Sequence, residues 1–303
     1  MQNSENSQNA IHPQPASQPA SQPANYTVAV ITPTIGRPEL ARAIESVQAQ
    51  NYPCTHYVFV DGEPYHAAAR EILQHYPQVK AVYLPVNTGA NNWFNSHILA
   101  AAPFIAQEDI ICFLDDDNTY RADHIASIVE TFAQNDVDYV YALRNFINPK
   151  GKLICRDDHI SLGDWCSKFY QQDVQTNVVV QGQQYSITSN GFHQFLIDVN
   201  CFAFKRKIAQ EVAHIWCITG HGNDVVMTHY LRTHDKRSAT TGRYTVNYLF
   251  DYTRQTSFYA SDCYHAFAQM FGTEAAYDIT DNWLRQLNQN HIDQYGGRFW
   301  AKE

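Results

Sequence analysis

Residues 26–60, YTVAVITPTIGRPELARAIESVQAQNYPCTHYVFV, decide the fold class. YTVAVI (26–31) is rich in β-formers and ends at Thr32-Pro33-Thr34. Pro38 stands where a first helical turn tolerates a missing N–H, and Leu40, Ile44 and Val47 then recur on one helical face. HYVFV (56–60) is a second apolar strand, closed by Asp61-Gly62. Outward from this unit the alternation continues. A helix over 65–76 precedes VKAVYL (79–84), and a helix from about Asn91 to Ala101 precedes IICFL (110–114). ADHIASIVETFAQ (122–134) is amphipathic, and DYVYAL (138–143) is the next strand. Short, continuously apolar strands alternating with helices predict an α/β fold, with a mainly parallel sheet flanked by helices on both faces.

After about residue 150 the alternation fails. VNCFAF (199–204) and YTVNYL (244–249) are strand-like among loops and helices, and the last fifty residues read as helical. Residues 1–25, with the repeat QPASQPASQPA, have no apolar periodicity and are expected to be an extended tail. The expected organisation is therefore tail 1–25, one α/β unit over 26–250 divided near 125, and a helical extension over 251–303.

The 303 residues carry 21 Lys+Arg against 30 Asp+Glu, a net charge of −9, which argues against broad binding to nucleic acid or anionic membranes. No apolar run approaches the ~20 residues of a membrane span. MQNSENSQNA lacks the basic start and apolar stretch of a secretory signal, so a cytoplasmic location is expected, with peripheral attachment at the inner face of the membrane as a variant. Seven cysteines without a CxxC pair do not form a disulfide framework or a structural zinc pattern.

The strongest chemical signal is CFLDDDNTY (112–120). Asp115, Asp116 and Asp117 follow a buried strand, and three adjacent carboxylates repel unless a cation neutralises them. Hard oxygens at the carboxyl end of a sheet strand suit Mg²⁺ or Mn²⁺, with a phosphate completing the shell. In an extended segment Asp115 and Asp117 share one face and Asp116 the other. The plainer reading is a solvated turn capped by Asn118. Thr32-Pro33-Thr34 and Asp61 end two further strands, so parallel pairing brings all three to one crevice. Neither a GxGxxG nor a GxxxxGK[ST] loop is present, which weakens the dinucleotide-dehydrogenase and P-loop readings.

The ordered set VITPTIGRPELARAIESVQAQNYP, VFVDG, NTGANNWFN and CFLDDDN resembles the nucleotide-binding half of a GT-A (Rossmann-like) glycosyltransferase, and is similar to the family-2 inverting transferases. The resemblance spans roughly residues 27–125 and continues more weakly to about 235. It implies that Pro33, Thr34 and Asp61 hold uracil and ribose, with Arg37, Asn92 and Asn95 also at the nucleotide sugar. It implies Asp115 for ribose, shared with the metal, and Asp117 for Mn²⁺ or Mg²⁺ on the diphosphate, with Asp116 assisting either. In GHGNDVVMTHYL, Asp224 takes the place of the general base; its plainer role is a helix cap. A late histidine, His234 or His265, is a candidate extra metal ligand.

Three departures from the family pattern stand out. Trp93-Phe94-Asn95 replaces the usual Ala-Arg-Asn, Ile35-Gly36 replaces Tyr-Asn, and Asn223 replaces the Glu before the base. A QxxRW signature is absent, which favours single-sugar transfer over polymer synthesis. The implied partners are a nucleotide-sugar donor, expected to be a UDP sugar, and a carbohydrate or glycoconjugate acceptor. Trp165, Phe169, Tyr170, Phe192 and Trp216 are candidate sugar contacts, and SITSNGFHQF (186–195) a candidate acceptor loop. A homo-oligomer face on the aromatic C-terminal helices stays open. Two rival readings remain: a sugar nucleotidyltransferase, and a non-catalytic carbohydrate-binding scaffold on the same fold.

Overall fold

The computed structural model describes residues 25–163, 165, 174–180, 182–189, 196–253 and 259–302. The residues of the tail before Asn25, with Phe169, Tyr170, Phe192 and positions 190–195 of the candidate acceptor loop, lie outside them. Four strands build the first half: β1 (Val28–Thr34), β2 (Thr55–Val60), β3 (Lys80–Tyr83) and β4 (Ile110–Phe113). They are linked by helices α1 (Leu40–Gln48), α2 (His66–Leu73) and α3 (Ser96–Ile105). The second half supplies β5 (Thr119–Tyr120), α4 (His124–Gln134), β6 (Tyr139–Ile147) and β7 (Leu153–Arg156). Beyond them come the hairpin β8 (Val174–Val180) and β9 (Gln183–Ser189), then β10 (Phe202–Lys205), α5 (Arg206–Glu211), α6 (Asn223–Thr233) and β11 (Ser238–Leu249). Helices α7 (Tyr259–Phe271) and α8 (Thr273–Tyr295) follow.

Among the described residues one sheet runs β3-β2-β1-β4-β10-β6-β11-β5, with β7 paired to β6. β1, β2, β3 and β4 are mutually parallel, while β10 is antiparallel to both β4 and β6. The sheet is thus mixed α/β and flanked by helices. α1 buries Leu40, Ala43, Ile44 and Val47, the stripe its spacing predicts. A second apolar cluster of Phe146, Phe250, Tyr252, Trp283 and Leu284 joins α8 to the far end of β6 and β11.

Two elements differ from the sequence reading. β1 continues through Pro33 to Thr34. The Ile31 carbonyl accepts from Leu114 N–H and the Thr34 carbonyl from Asp61 N–H, so position 33 faces the β4 side beyond the last ladder pair, Ile31 with Phe113. A missing N–H there breaks no sheet bond. The helix expected from Asn91 begins instead at Ser96, because Asn91, Asn92 and Phe94 take left-handed backbone angles (φ 58°, 66° and 50°) that no α-helix admits.

Candidate active site

Parallel strands bring their carboxyl ends to one edge, and there β1, β2 and β4 present Thr34, Asp61 and the acidic turn. Asp115 to Asn118 close a turn, with Asn118 N–H donating to the Asp115 carbonyl at 3.2 Å. This turn overrides the two-face alternation expected of an extended segment. Asp116 is buried and folds back toward β1, where its Oδ2 accepts from Thr34 Oγ1 at 2.6 Å. Arg37 Nη1 reaches both Asp116 Oδ1 (3.2 Å) and Asp117 Oδ2 (2.8 Å). Asn118 turns away and accepts from Leu249 N–H at 2.7 Å, fixing the turn to β11.

Asp115 points toward the second half of the chain. Its Oδ1 accepts from Asn95 Nδ2 and its Oδ2 from Asn200 Nδ2, both at 2.9 Å. Asn95 Oδ1 in turn accepts from Asn223 Nδ2 at 3.1 Å, at the start of α6. Asp224 therefore lies one residue from a side chain wired to the acidic turn, half-buried in the first turn of α6 after Gly222. Asp198 and Arg144 complete the polar core behind these groups. Arg144 is buried and pairs with Asp198 through Nη1 and with Asp157 through Nε at 2.7 Å.

Electrostatics follow from burial and crowding of like charges. Burial, with repulsion from Asp117 and Asp198, pushes the Asp115 carboxyl up to about 7, against the two amide donors. Burial pushes Asp116 up to about 6 although Arg37 opposes it. Burial, followed by the Asp198 charge, lifts Asp224 to about 7. For Arg37 burial works against the charge, but Asp116, Asp117 and Asp115 outweigh it and raise its pKa.

A divalent cation fits this donor set. Asp117 offers a half-buried hard oxygen, and the crowded negative charge on Asp115 and Asp117 exceeds what Arg37 neutralises. Among the described residues no three His, Cys, Asp or Glu side chains converge as a closed cage, so ligand oxygens would complete the shell. His234 does not join it. It caps the far end of α6, stacked on Tyr230 at 3.8 Å, and ten residues of helix put it about 15 Å from Asp224. His265 is exposed on α7, beside Tyr264.

Asp61 is buried at the end of β2. Its Oδ1 accepts from Thr88 N–H and Thr88 Oγ1, each at 2.7 Å, and its Oδ2 from Gly89 N–H at 2.8 Å. It thereby anchors the loop 88–95, whose left-handed residues store backbone strain beside the acidic turn. Asn92 is exposed on this loop, and its carbonyl comes so near Gly220 that a Cβ there would stand 1.7 Å from the oxygen. Phe94 is about half exposed, with its ring 6.1 Å from that of His221. Pro33 is buried within β1, below Thr34. Of the aromatic candidates, Trp216 is buried against Phe113 and Phe202, and Trp165 packs on Tyr295 and Trp300; both serve the core.

Three site residues escaped the sequence reading: Arg144, Asp198 and Asn200. Arg144 had a legible signal, since an arginine within the apolar run DYVYALRNFI needs buried carboxylates.

The family model described as Glycosyl transferase family 2 matches residues 29–212. An uncharacterized protein of Haemophilus influenzae is 32% identical over 108 residues, covering 35% of this chain and 69% of that protein. The crystal structure of S. aureus TarS 1-349 in complex with UDP-GlcNAc is similar at a TM-score of 0.51 and 13% identity, over 86% of this chain and 72% of that one. The same S. aureus fragment in complex with UDP gives 0.51 and 12% identity, over 74% of this chain and 60% of that one. At such identities the likeness is one of fold.

Proposed function

The chain belongs to glycosyl transferase family 2, and from that premise we propose that it moves one sugar from a nucleotide-diphosphate sugar, UDP-linked, to a hydroxyl of a carbohydrate or glycoconjugate acceptor, with inversion at the anomeric carbon. The observation that carries this reading is the continuous polar path Asp115–Asn95–Asn223, which joins the acidic turn to the helix start bearing Asp224. Donor chemistry and proton removal must lie on opposite sides of one anomeric carbon, and this path fixes the two groups relative to each other.

Thr34 and Asp61 form the nucleoside end of the site, Asp61 acting through the loop 88–95 that it anchors. Arg37, Asn92 and Asn95 line the diphosphate and sugar side. Asp115 and Asp117 would hold Mn²⁺ or Mg²⁺, which when bound supplies positive charge to the leaving diphosphate. Asp224 accepts the acceptor's proton as the hydroxyl oxygen bonds to the anomeric carbon and the bond to the diphosphate oxygen breaks. A carboxyl lifted to about 7 is well matched to that task near neutral pH. The complexes of S. aureus TarS 1-349 with UDP and with UDP-GlcNAc support a UDP-linked donor on this fold.

The test is product release. Incubation with UDP-, GDP- and CDP-linked sugars, with Mn²⁺ or with EDTA, should release the nucleoside diphosphate from UDP sugars in the metal arm. Pyrophosphate formation from UTP and a sugar 1-phosphate, without diphosphate release, would establish a nucleotidyltransferase instead. Sugar binding with neither product would leave a non-catalytic scaffold.

A further inference from the structure

We propose that Asn200 is a positioning residue for this reaction: held by Asp198 and Arg144, it clamps the backbone and carboxylate of Asp115 in the orientation that receives the metal-bound diphosphate. The inference rests on the donor-site reading above, and on geometry that reading does not use.

In the antiparallel pairing of β10 with β4, Ala203 lies opposite Cys112. Three residues back from Ala203 is Asn200 and three residues on from Cys112 is Asp115, so the ladder, if continued, would set these two opposite each other. The strands have ended there, and a side chain takes over the pairing. Asp115 N–H donates to Asn200 Oδ1 at 2.6 Å, while Asn200 Nδ2 donates to Asp115 Oδ2 at 2.9 Å. One amide thus grips Asp115 at two points, and it is wholly buried.

Asn200 is itself held. Its backbone N–H and its second Nδ2 hydrogen donate to Asp198 Oδ1, at 2.9 and 2.8 Å. Asp198 Oδ2 takes Arg144 Nη1, and Asp198 N–H donates to Ser161 Oγ at 2.9 Å. Arg144 is fixed on its other side by Asp157, whose Oδ1 caps Ile160 N–H at 2.8 Å. With every hydrogen-bonding atom of the Asn200 side chain committed, neither Asp198 nor Asn200 has freedom to turn. A free Asp115 carboxylate, by contrast, rotates about its side-chain bonds and presents the wrong oxygen. Pre-setting a ligand from behind in this way strengthens metal sites by about 10–100-fold.

The experiment measures UDP affinity in Mn²⁺ and in EDTA, by isothermal titration calorimetry, for the wild type, Asn200→Ala and Asp198→Asn, with a thermal melt for each. Asn200→Ala should lower the affinity in Mn²⁺ by about tenfold or more and leave the affinity in EDTA within twofold. Asp198→Asn, which keeps its shape but loses the charge holding Arg144, should shift the Mn²⁺ affinity in the same direction by a smaller factor. It carries the test alone if Asn200→Ala does not fold. Equal losses in Mn²⁺ and EDTA would make Asn200 a structural residue only and overturn the proposal. So would an unchanged Mn²⁺ affinity in the folded variants. A wild type that binds UDP equally in both media overturns the metal reading itself, and is recognised before any variant is compared.

Discussion

Asp224 gives the sharpest prediction, because its environment fixes both the size and the pH of the effect. Burial and the neighbouring Asp198 charge lift its carboxyl from 3.8 to about 7. Only the ionised form accepts a proton. The ionised fraction is therefore about 0.1 at pH 6, half at pH 7 and about 0.9 at pH 8. With saturating donor and Mn²⁺, kcat should rise about tenfold from pH 6 to pH 8, with unit slope of log kcat well below pH 7. Asp115 and Asp116, raised to about 7 and about 6, titrate in the same range, but on the donor side. Their protonation weakens donor binding and is read in KM, whereas kcat at saturation reports the loaded complex. Asp224→Asn removes the proposed base while keeping its shape. It should lower kcat by about 10²–10⁴-fold and leave UDP affinity within about twofold. The assay is steady-state sugar transfer across pH 5.5–8.5, with UDP titrations of the same protein. A variant that keeps wild-type kcat, or a wild-type rate flat from pH 6 to 8, would show that Asp224 is not the base.

Three further outcomes follow from the packing of the site. Asp61→Ala frees Thr88 N–H, Thr88 Oγ1 and Gly89 N–H and so releases the loop 88–95; donor KM should rise about tenfold or more, and an unchanged KM would count against the anchoring role. Gly220→Ala sets a Cβ 1.7 Å from the Asn92 carbonyl oxygen, so the loop must move; a loss of about 1–3 kcal/mol in denaturant unfolding and a weaker UDP titration are expected, and wild-type values in both would contradict the close approach. Arg144→Met leaves the buried Asp157 and Asp198 carboxylates unpaired, which should cost about 3–5 kcal/mol and lower Tm by roughly 10 °C; calorimetry showing a Tm within a degree or two of wild type would rule out that ion-pair network as a stabilising element.

Much of the architecture was legible because local signals agree with the global fold. Val28, Val30, Leu40, Ile44 and Val47 announce a strand and then a helix, and the rule that ligands gather at strand ends directs attention to Thr34, Asp61 and Asp115. What was not legible depends on partners distant in sequence. Asn91 starts no helix because Asp61, 27 or 28 residues before Thr88 and Gly89, ties down the loop, and because Gly220 leaves room for the Asn92 carbonyl. Asp116 departs from strand alternation because Thr34, 82 residues earlier, captures it. Asn200 looks like an ordinary polar residue before a strand until the β10–β4 register sets it across from Asp115, 85 residues away. His234 shows how sequence nearness misleads about spacing: it is close to Asp224 in the chain, but an intact helix sets it at the other end of α6.

The most direct test of the account is a calorimetric titration of UDP into the full chain in Mn²⁺, repeated in EDTA and with Asp117→Ala. Binding about tenfold or more weaker in EDTA, with the variant in Mn²⁺ falling to that weaker level, is the predicted result, and it would establish a nucleoside-diphosphate site at the acidic turn. Absence of binding by UDP, GDP and CDP alike in Mn²⁺ would contradict the transferase reading and leave a family-2 fold without its donor site.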